Sequence, residues 1–383
     1  MNKVLRVGMV GYGFMGKMHG HAYRSLGFYY DPPPARIELR GIATQSEASW
    51  QRAGREDGYF FGTADYRELC ARPDVDIIDC CAPNHLHKDV VLCALENEKH
   101  VYVDKPLART LDEAREIAAR AKEHPGLVTQ VTFQYRFAPA ILRAKELIDE
   151  GRLGDLYSVR ACYLHAGYVD PKRPYSWRLD PEQSGRGGAL FDLGSHVIDL
   201  TRFLAGEFAA VHHTAKTFIT ERPTKEDPGK TKPVNVDDIS ILTCRMANGA
   251  IGTVESSRLA TGVQDELRFE AHGSQGAIRF NLMQPNYLEF YDNTAPGGSY
   301  GGERGFTAIE SVHRYPAPAK WPGPKNTVGW ERLHVHAIHN FVKCIVEGAP
   351  ASPDAADGAK TQAVLEAAVQ SQDKNAWVDV PSV

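Results

Sequence analysis

The residues best suited to chemistry lie in one largely apolar run, Gly187-Gly188-Ala189-Leu190-Phe191-Asp192-Leu193-Gly194-Ser195-His196-Val197-Ile198-Asp199. If this run is helical, Asp192 and His196 share a face, and Asp199 follows three residues after His196. A histidine beside a carboxylate can serve as a proton-transfer pair, since imidazole titrates near neutral pH. The two glycines would let the backbone pass close to a flat ligand. A buried structural histidine with a hydrogen-bonding aspartate is the alternative that this stretch alone leaves open.

A second candidate for chemistry is the lysine of Asp104-Lys105-Pro106, which follows a predicted short strand, His100–Val103. The proline biases Lys105 toward an extended backbone and so fixes where its side chain leaves the chain. An ammonium group could stabilise an alkoxide that forms as an alcohol is oxidised. An exposed loop lysine is the alternative.

These side chains need a scaffold, and the start of the chain predicts one. Val4–Val10 is typical of a strand, Gly11-Tyr12-Gly13-Phe14-Met15-Gly16 follows at once, and apolar residues then recur at helical spacing from Met15 to Leu26. This is the dinucleotide fingerprint in its required context. Its first glycine makes the tight turn, the second lets a pyrophosphate approach, and the third lets the helix pack on the strand.

The residues after the next strand bear on the choice between NAD and NADP. This strand is predicted over Ile37–Ala43, and an acid that holds the ribose hydroxyls usually stands at its end, about 20 residues past the glycines. Asp31 has that offset but precedes the strand. Thr44 and Gln45 occupy the strand end. These residues therefore do not decide between the two cofactors; NAD is expected, and NADP stays open.

Strands and helices alternate along the first third of the chain and imply a doubly wound, mostly parallel α/β sheet, a Rossmann domain over residues 1–132. Ligands bind such sheets at the carboxyl ends of the strands. The glycine turn, the loop that begins Ala82-Pro83-Asn84 and contains His87, and Lys105 all lie at such ends.

Residues 133–383 predict a second α/β domain with an open, mostly antiparallel sheet. Turn signals such as Asn248-Gly249 separate consecutive strand-like segments. Glu221–Pro233, rich in Pro, Lys and Thr, is predicted to be an exposed loop. The loop over residues 167–183 carries Tyr168, Trp177 and Arg178, which suit either the wall of a substrate site or an anchor to the core.

Composition excludes several classes of function. The 383 residues are 43% apolar and 24% charged with a net charge of −4, which is typical of a soluble globular protein and predicts no nucleic acid or membrane partner. Seven cysteines without a Cys-x-x-Cys pair favour free thiols in a reducing cytoplasm. The histidines lack carboxylates at ligand spacing, so we predict no metal site.

Together these motifs resemble the Gfo/Idh/MocA family of NAD(P)-dependent oxidoreductases, which includes glucose-fructose oxidoreductase and inositol dehydrogenases. The resemblance rests on the glycine fingerprint, on Asp104-Lys105-Pro106 and on the run from Gly187 to Asp199. Tyr135-Arg136-Phe137 and Trp177-Arg178 also sit where the family often has such residues. The family usually has Glu-Lys-Pro where this chain has Asp-Lys-Pro.

The resemblance implies hydride transfer between NAD(P) and a secondary hydroxyl of a sugar, polyol or inositol. His196 would be the general base, Lys105 would orient the hydroxyl, and Asp192 would hold the substrate. A homodimer or homotetramer is expected. Two other functions stay open: an NAD-dependent glycoside hydrolase that uses transient oxidation, and a non-catalytic dinucleotide-binding regulator.

The site residues that follow from the motifs and the resemblance form two sets. The substrate set is Lys105, Arg136, Tyr168, Trp177, Asp192 and His196. The cofactor set is Gly11, Gly13, Phe14, Met15, Gly16, Thr44, Gln45, Ala82, Pro83, Asn84, His87, Asp104, Lys105, Gln134, Trp177 and Arg178.

Overall fold

Six parallel strands form the sheet of the N-terminal region in the computed structural model, which describes residues 3–383. Their order is β3-β2-β1-β4-β5-β6, so the chain runs outward from β1 in both directions. The strands are β1 (Val4–Val10), β2 (Arg36–Ala43), β3 (Phe61–Thr63), β4 (Ile77–Cys80), β5 (His100–Val103) and β6 (Thr129–Val131). The helices between them are α1 (Phe14–Tyr29), α2 (Glu47–Asp57), α3 (Tyr66–Ala71), α4 (His87–Glu96) and α5 (Leu111–Glu123).

This sheet is buried on both faces, which explains the near-continuous apolar runs of its strands. Val7, Ile42 and Ile77, on three neighbouring strands, are fully buried. Side chains cap three of the surrounding helices: Ser46 accepts a hydrogen bond from the first turn of α2, Asp65 does so for α3, and Thr110 for α5. The predicted doubly wound parallel sheet is therefore confirmed.

The second region is built on a nine-stranded mixed sheet in the order β16-β15-β14-β13-β7-β12-β11-β8-β17. All neighbouring strands are antiparallel except β7 and β12, so the predicted open, mostly antiparallel sheet is also confirmed. The first elements are α6 (Pro139–Asp149), β7 (Leu156–Leu164), α7 (Pro181–Ser184), α8 (Ser195–Ala205), β8 (Phe208–Lys216), β9 (Glu221–Pro223), β10 (Thr231–Pro233), β11 (Ile239–Met246) and β12 (Ile251–Ser257). The remainder are β13 (Glu266–Gly273), β14 (Gly276–Asn281), β15 (Tyr287–Asp292), β16 (Thr307–Glu310), α9 (Trp330–Glu347), α10 (Ala355–Lys374) and β17 (Val378–Asp379).

Helices cover one face of this second sheet. Ile141 of α6, Val197 of α8 and Leu365 of α10 are fully buried in the core formed with its strands. Helix α9 packs mainly elsewhere, because Val335 and Phe341 lie in the core beneath the first sheet, beside α1, while Leu333 in its first turn reaches the second core. The two sheets thus divide near residue 132, but the C-terminal part of the chain returns to the first core.

The predicted loop over Glu221–Pro233 is wrong: the segment forms a small hairpin of β9 and β10. Arg222 in this hairpin is fully buried, and its guanidinium donates to the carbonyl oxygens of Tyr168 and Asp170 at 2.6 and 2.8 Å. This contact ties the hairpin to the loop over residues 167–183. The Pro- and Lys-rich composition of the segment gave no indication of it.

No helix within residues 3–383 combines the length and the apolar composition that crossing a membrane requires.

Candidate active site

A cleft of about 480 Å³ lies where the carboxyl ends of the first sheet meet α8 and the second sheet. Its wall contains eleven of the predicted site residues: Phe14, Met15, Asn84, Asp104, Lys105, Gln134, Tyr168, Trp177, Arg178, Asp192 and His196. Lys105 from one region and His196 from the other therefore face one space. This is the arrangement that proton transfer at a bound alcohol requires.

Asp192 links the two regions through its charge. The Lys105 Nζ atom lies 3.0 Å from Asp192 Oδ1 and donates to the Asp192 carbonyl oxygen at 2.6 Å. Arg258 Nη2 donates to Asp192 Oδ2 at 3.1 Å. Burial favours the neutral acid, but Lys105, Arg258 and Arg178 hold the pKa of Asp192 well below its usual range. Asp192 is therefore an anion that fixes the ammonium of Lys105.

His196 is a buried, neutral imidazole at the inner wall of the cleft. Burial, and then the charge of Lys105, hold the pKa of His196 well below its ordinary value, while Asp192 opposes the shift. The rings of Tyr135 and Tyr163 lie edge-on to the imidazole, with centroids 5.0 and 5.7 Å away. Nδ1 of His196 is buried without a hydrogen-bond partner in the described chain. A neutral imidazole can accept a proton.

The backbone that carries Asp192 is one wide helical turn, Leu190–Gly194, which leads into α8. The carboxylate of Asp237 holds its start by accepting from the backbone N–H groups of Gly188 and Leu190 at 2.7 and 2.9 Å. A Cβ on Gly188 would stand 2.1 Å from the Asp237 carbonyl oxygen. The close approach that this glycine permits is thus to Asp237.

The glycine turn has the space that a dinucleotide needs. Gly11 has φ +99°, and a Cβ on Gly16 would stand 2.3 Å from the Gly11 carbonyl oxygen, so these two glycines close the turn. A Cβ on Gly13 would meet no atom within 4 Å, and no side chain caps the N-terminus of α1. Free N–H groups and open space at a helix N-terminus fit a pyrophosphate.

Two family models match the chain. The model described as an oxidoreductase family with an NAD-binding Rossmann fold covers residues 5–133, and the GFO/IDH/MocA C-terminal domain covers residues 141–279. Levoglucosan dehydrogenase of Pseudarthrobacter phenanthrenivorans is 36% identical over 391 residues, 99% of each chain. The chain belongs to the GFO/IDH/MocA oxidoreductase family. The expected family and its NAD cofactor are therefore confirmed.

Two further relatives of this oxidoreductase show how far the likeness extends. A solved structure of levoglucosan dehydrogenase in complex with NADH and levoglucosan has a TM-score of 0.94, 37% identity and full coverage of both chains. Inositol 2-dehydrogenase of Rhizobium meliloti is 25% identical, with 96% of each chain covered.

The remaining cofactor-set residues of the oxidoreductase lie outside the cleft wall. Thr44 and Gln45 follow β2, where the Thr44 N–H donates to Thr63. Ala82 and Pro83 follow β4 and lead to Asn84, which donates to the Ser184 carbonyl oxygen at 2.9 Å. These residues remain predicted cofactor contacts.

His87 has a structural position in the oxidoreductase. It is fully buried, and its Nδ1 and Nε2 atoms lie 3.0 and 2.9 Å from the carbonyl oxygens of Pro106 and Ala82. A neutral ring donates to one of these two oxygens. Both ring nitrogens thus face backbone carbonyl oxygens of the protein itself. The contact of His87 with a cofactor stays a prediction. The side chain joins the two loops that carry Asn84 and Lys105.

Arg136 was predicted to contact substrate, and the structure places it away from the cleft wall. Its guanidinium forms a bidentate pair with Asp199 at 2.6 and 2.7 Å, and Nη1 also reaches Asp357 at 3.2 Å. Both partners of the bidentate pair are buried. Arg136 therefore ties α8 to α10, and Asp199 belongs to this ion pair.

Several cleft residues of the oxidoreductase were missed by sequence reasoning. Tyr163 OH donates to Asp265 Oδ1 at 2.8 Å, and His165 Nε2 lies 2.9 Å from the same oxygen. Burial alternates along β7, so its period could have placed Tyr163 and His165 on the cleft side. Arg258 and Asp265 carry no local signal, because only the packed sheet brings them to Asp192 and His165.

The described chain gathers metal-ligating side chains at one buried point, His19, Asp79 and Cys81, whose ligand atoms lie within 4.8 Å of one another. Hydrogen bonds account for the contacts, with His19 Nδ1 2.9 Å from Asp79 Oδ1 and 3.1 Å from Cys81 Sγ. The absence of a metal stays a prediction. The seven cysteines are free.

Proposed function

We propose that this oxidoreductase transfers a hydride between NAD and a secondary hydroxyl of a sugar, polyol or cyclitol. The observation that carries the proposal is the shared cleft in which Lys105, fixed by Asp192, and the neutral imidazole of His196 face the same space. When bound, NAD supplies the hydride acceptor. The glycine turn, together with Phe14, Met15, Asn84 and Gln134, would hold it.

The residues of the chain divide the remaining work. His196 takes the hydroxyl proton, which its low pKa permits because the imidazole is neutral before the reaction. Lys105 donates to the same oxygen and stabilises the negative charge that develops there. Asp192 keeps that ammonium in place and accepts from a neighbouring sugar hydroxyl.

The wall of the cleft suits a neutral, hydroxyl-rich ring. Tyr168 and Trp177 offer flat apolar faces, and Arg178 lies over the Trp177 ring at 4.5 Å. Arg258 is buried and has two nitrogens, Nε and Nη1, without acceptors in the described chain. This buried charge sits in the cleft wall, where it favours electron-rich groups such as sugar oxygens. The relatives named for levoglucosan and inositol support this class of substrate.

The test follows reduced nicotinamide absorbance with NAD and a panel of levoglucosan, inositols and aldoses. We expect turnover with a panel member, and a loss of at least ~10²-fold in kcat for His196→Ala and for Lys105→Ala, the scale of a lost acid–base group. The matched controls are His212→Ala and Lys343→Ala, the same residue types outside the cleft wall. They should keep wild-type rates.

Two results would contradict the proposal. One is wild-type turnover in either cleft variant. The other is a protein that binds NAD, as shown by cofactor fluorescence, yet oxidises no panel member. Release of sugar from a chromogenic glycoside without net reduction of NAD would instead support the hydrolase alternative.

A further inference from the structure

A second pocket of about 390 Å³ lies behind the active-site cleft, at the N-terminus of α9. Tyr29 at the end of α1, Trp321 and Asn326 of the loop before α9, and Arg332 of its first turn line this pocket. Trp330, two residues before Arg332, lines the cleft instead. The first turn of α9 therefore separates two cavities.

Arg332 is a buried cation without a counterion. Its side chain is 4% exposed, yet none of the salt bridges within residues 3–383 includes it. Nη1 donates to the hydroxyl of Tyr30 at 2.8 Å, and Nε is buried with no acceptor in the described chain. A buried guanidinium ordinarily has an anionic partner, because desolvation of an unpaired charge is costly.

The aromatic rings around Arg332 do not replace that partner. The guanidinium carbon lies 4.5, 5.0 and 4.3 Å from the ring centroids of Tyr29, Tyr30 and Tyr315. Cation–π contacts attract the positive charge over the faces of the rings, but they give the N–H donors in the guanidinium plane no acceptor. An oxyanion in the pocket would pair with the part of the guanidinium that lines it and would neutralise the buried charge.

The titratable neighbours leave the cation uncompensated. Burial, followed by the charge of Arg332, lowers the pKa of His313 and of His336, and lowers the pKa of His339 to about 4. Lys343, on the same helix, adds a positive charge near His336 and His339. Glu331 contributes the carboxylate of the pocket wall, but it is exposed and forms no salt bridge with Arg332 in the described structure.

The helix adds a second attraction for negative charge. α9 has 18 residues, and Gly329 at its N-terminus provides no side-chain cap. The positive end of the helix dipole therefore lies at this pocket, beside the Glu331 carboxylate, which would stand 3.0 Å from a Cβ on Gly329. Gly329, Asn326 and Thr327 also line the wall. The site thus combines a helix N-terminus with an unpaired, buried arginine.

We propose that this pocket binds a small oxyanion, the phosphate or carboxylate group of a metabolite, between Arg332 and the N-terminus of α9. The site is separate from the hydride-transfer cleft, and the proposal does not depend on the proposed function. Tyr29 and Trp321 would lie beside the body of the ligand, since the pocket volume exceeds that of an inorganic anion.

The test is a titration of the full chain, saturated with NADH so that its glycine turn is occupied. Inorganic phosphate and acetate are the two probes, each added at constant ionic strength against chloride, with isothermal titration calorimetry as the readout. We expect saturable binding of at least one probe. Tighter binding of phosphate would indicate a phosphate ester, and tighter binding of acetate a carboxylate.

Three variants and a control locate the binding. Arg332→Gln should raise the Kd for the oxyanion at least tenfold, and Arg332→Lys should restore part of the affinity. Asn326→Asp places a carboxylate in the pocket wall without altering a buried residue, so it should also raise the Kd. This variant keeps the test decisive if Arg332→Gln fails to fold. Lys325→Gln removes an exposed positive charge outside the wall and should bind like wild type. Absence of saturable binding, or unchanged affinity in Asn326→Asp, would overturn the proposal.

Discussion

At His196, burial and the neighbouring ammonium of Lys105 both lower the pKa of the imidazole. Both hold the pKa of the imidazole well below its ordinary value, so the proposed base is neutral across the physiological range. Asp192 acts in the opposite direction on that pKa, although it also positions Lys105. The effects of Lys105 and Asp192 can therefore be distinguished, because they shift the pKa of His196 in opposite directions.

Lys105→Met should raise the pKa of His196, because a positive charge that disfavours the imidazolium is removed. Since the base works only when neutral, activity falls as pH drops through this pKa, and the acid limb of kcat/KM should move to higher pH. Asp192→Asn removes a charge that favours the imidazolium, so its acid limb should move to lower pH. The measurement is a pH profile of kcat/KM at saturating NAD. Shifts of the same sign in both variants would contradict this account.

At the scale of elements, Arg136 shows how a buried ion pair holds the second region together. It lies in the turn Gln134–Phe137 before α6 and pairs with Asp199 on α8 and Asp357 on α10. The family resemblance implied a substrate contact, because Tyr135-Arg136-Phe137 sits where the family often has such residues. The pairing depends on where α8 and α10 pack, which local sequence does not specify.

Arg136→Leu should lower the free energy of unfolding by about 3–5 kcal/mol, because it leaves Asp199 buried without its partner. The double variant Arg136→Leu/Asp199→Leu should recover most of this loss, since it removes both charges. Urea denaturation at pH 7, followed by circular dichroism, gives the comparison. Wild-type stability in the single variant, together with a raised KM for the sugar, would instead indicate a substrate contact.

The elements that could be predicted are those whose signals are local. The strand, glycine turn and helix of the fingerprint are contiguous, and Asp192 and His196 are only four residues apart in the run that leads into α8. Arg258 and Asp265 lie at the ends of strands in the second sheet, and their roles depend on neighbours far away in sequence. The hairpin around Arg222 was missed because its polar composition is typical of a loop, and the pairing of β9 with β10 has no apolar pattern that would reveal it.

The glycines of the fingerprint allow binding and folding to be separated. Gly13→Ala should fold like wild type, because its Cβ meets no protein atom within 4 Å, yet it should weaken NAD binding at least tenfold by filling space that the pyrophosphate needs. Gly16→Ala should lower stability by about 1–3 kcal/mol, because its Cβ would stand 2.3 Å from a backbone oxygen.

Gly27→Ala, on the exposed face of the same helix, is the control. Its Cβ meets no atom within 4 Å, so it should leave NAD affinity unchanged and stabilise α1 by up to about 1 kcal/mol. Calorimetric titration with NAD and thermal unfolding measure the two properties. An unchanged NAD affinity in Gly13→Ala would show that the cofactor does not pass over this turn.

At the scale of the molecule, the cleft depends on how two sheets are held against each other. The first sheet supplies the glycine turn and Lys105, and the helices on the second sheet supply Asp192 and His196. α9 leaves the second region and packs in the first core, so the chain crosses between the two regions more than once. Helix α10 also joins the two regions, because it contacts α5 and β6 of the first and α8 and β8 of the second. Packing far in sequence from Lys105 and His196 therefore holds together the regions that carry them.

The second sheet has an uncovered face, and we expect it to form the interface of a homo-oligomer. Side chains alternate along β11 and β12, so Leu242 and Val254 pack against the helices while Ile241 and Ile251 point away, 46% and 62% exposed. The double variant Ile241→Asp/Ile251→Asp should raise the dissociation constant of the oligomer at least tenfold, because burying two carboxylates in an interface is unfavourable. Sedimentation analysis measures the shift, with circular dichroism to verify folding. Met283→Asp, an equally exposed apolar residue in a turn after β14, should leave the assembly intact. An unchanged assembly in the double variant would place the interface elsewhere.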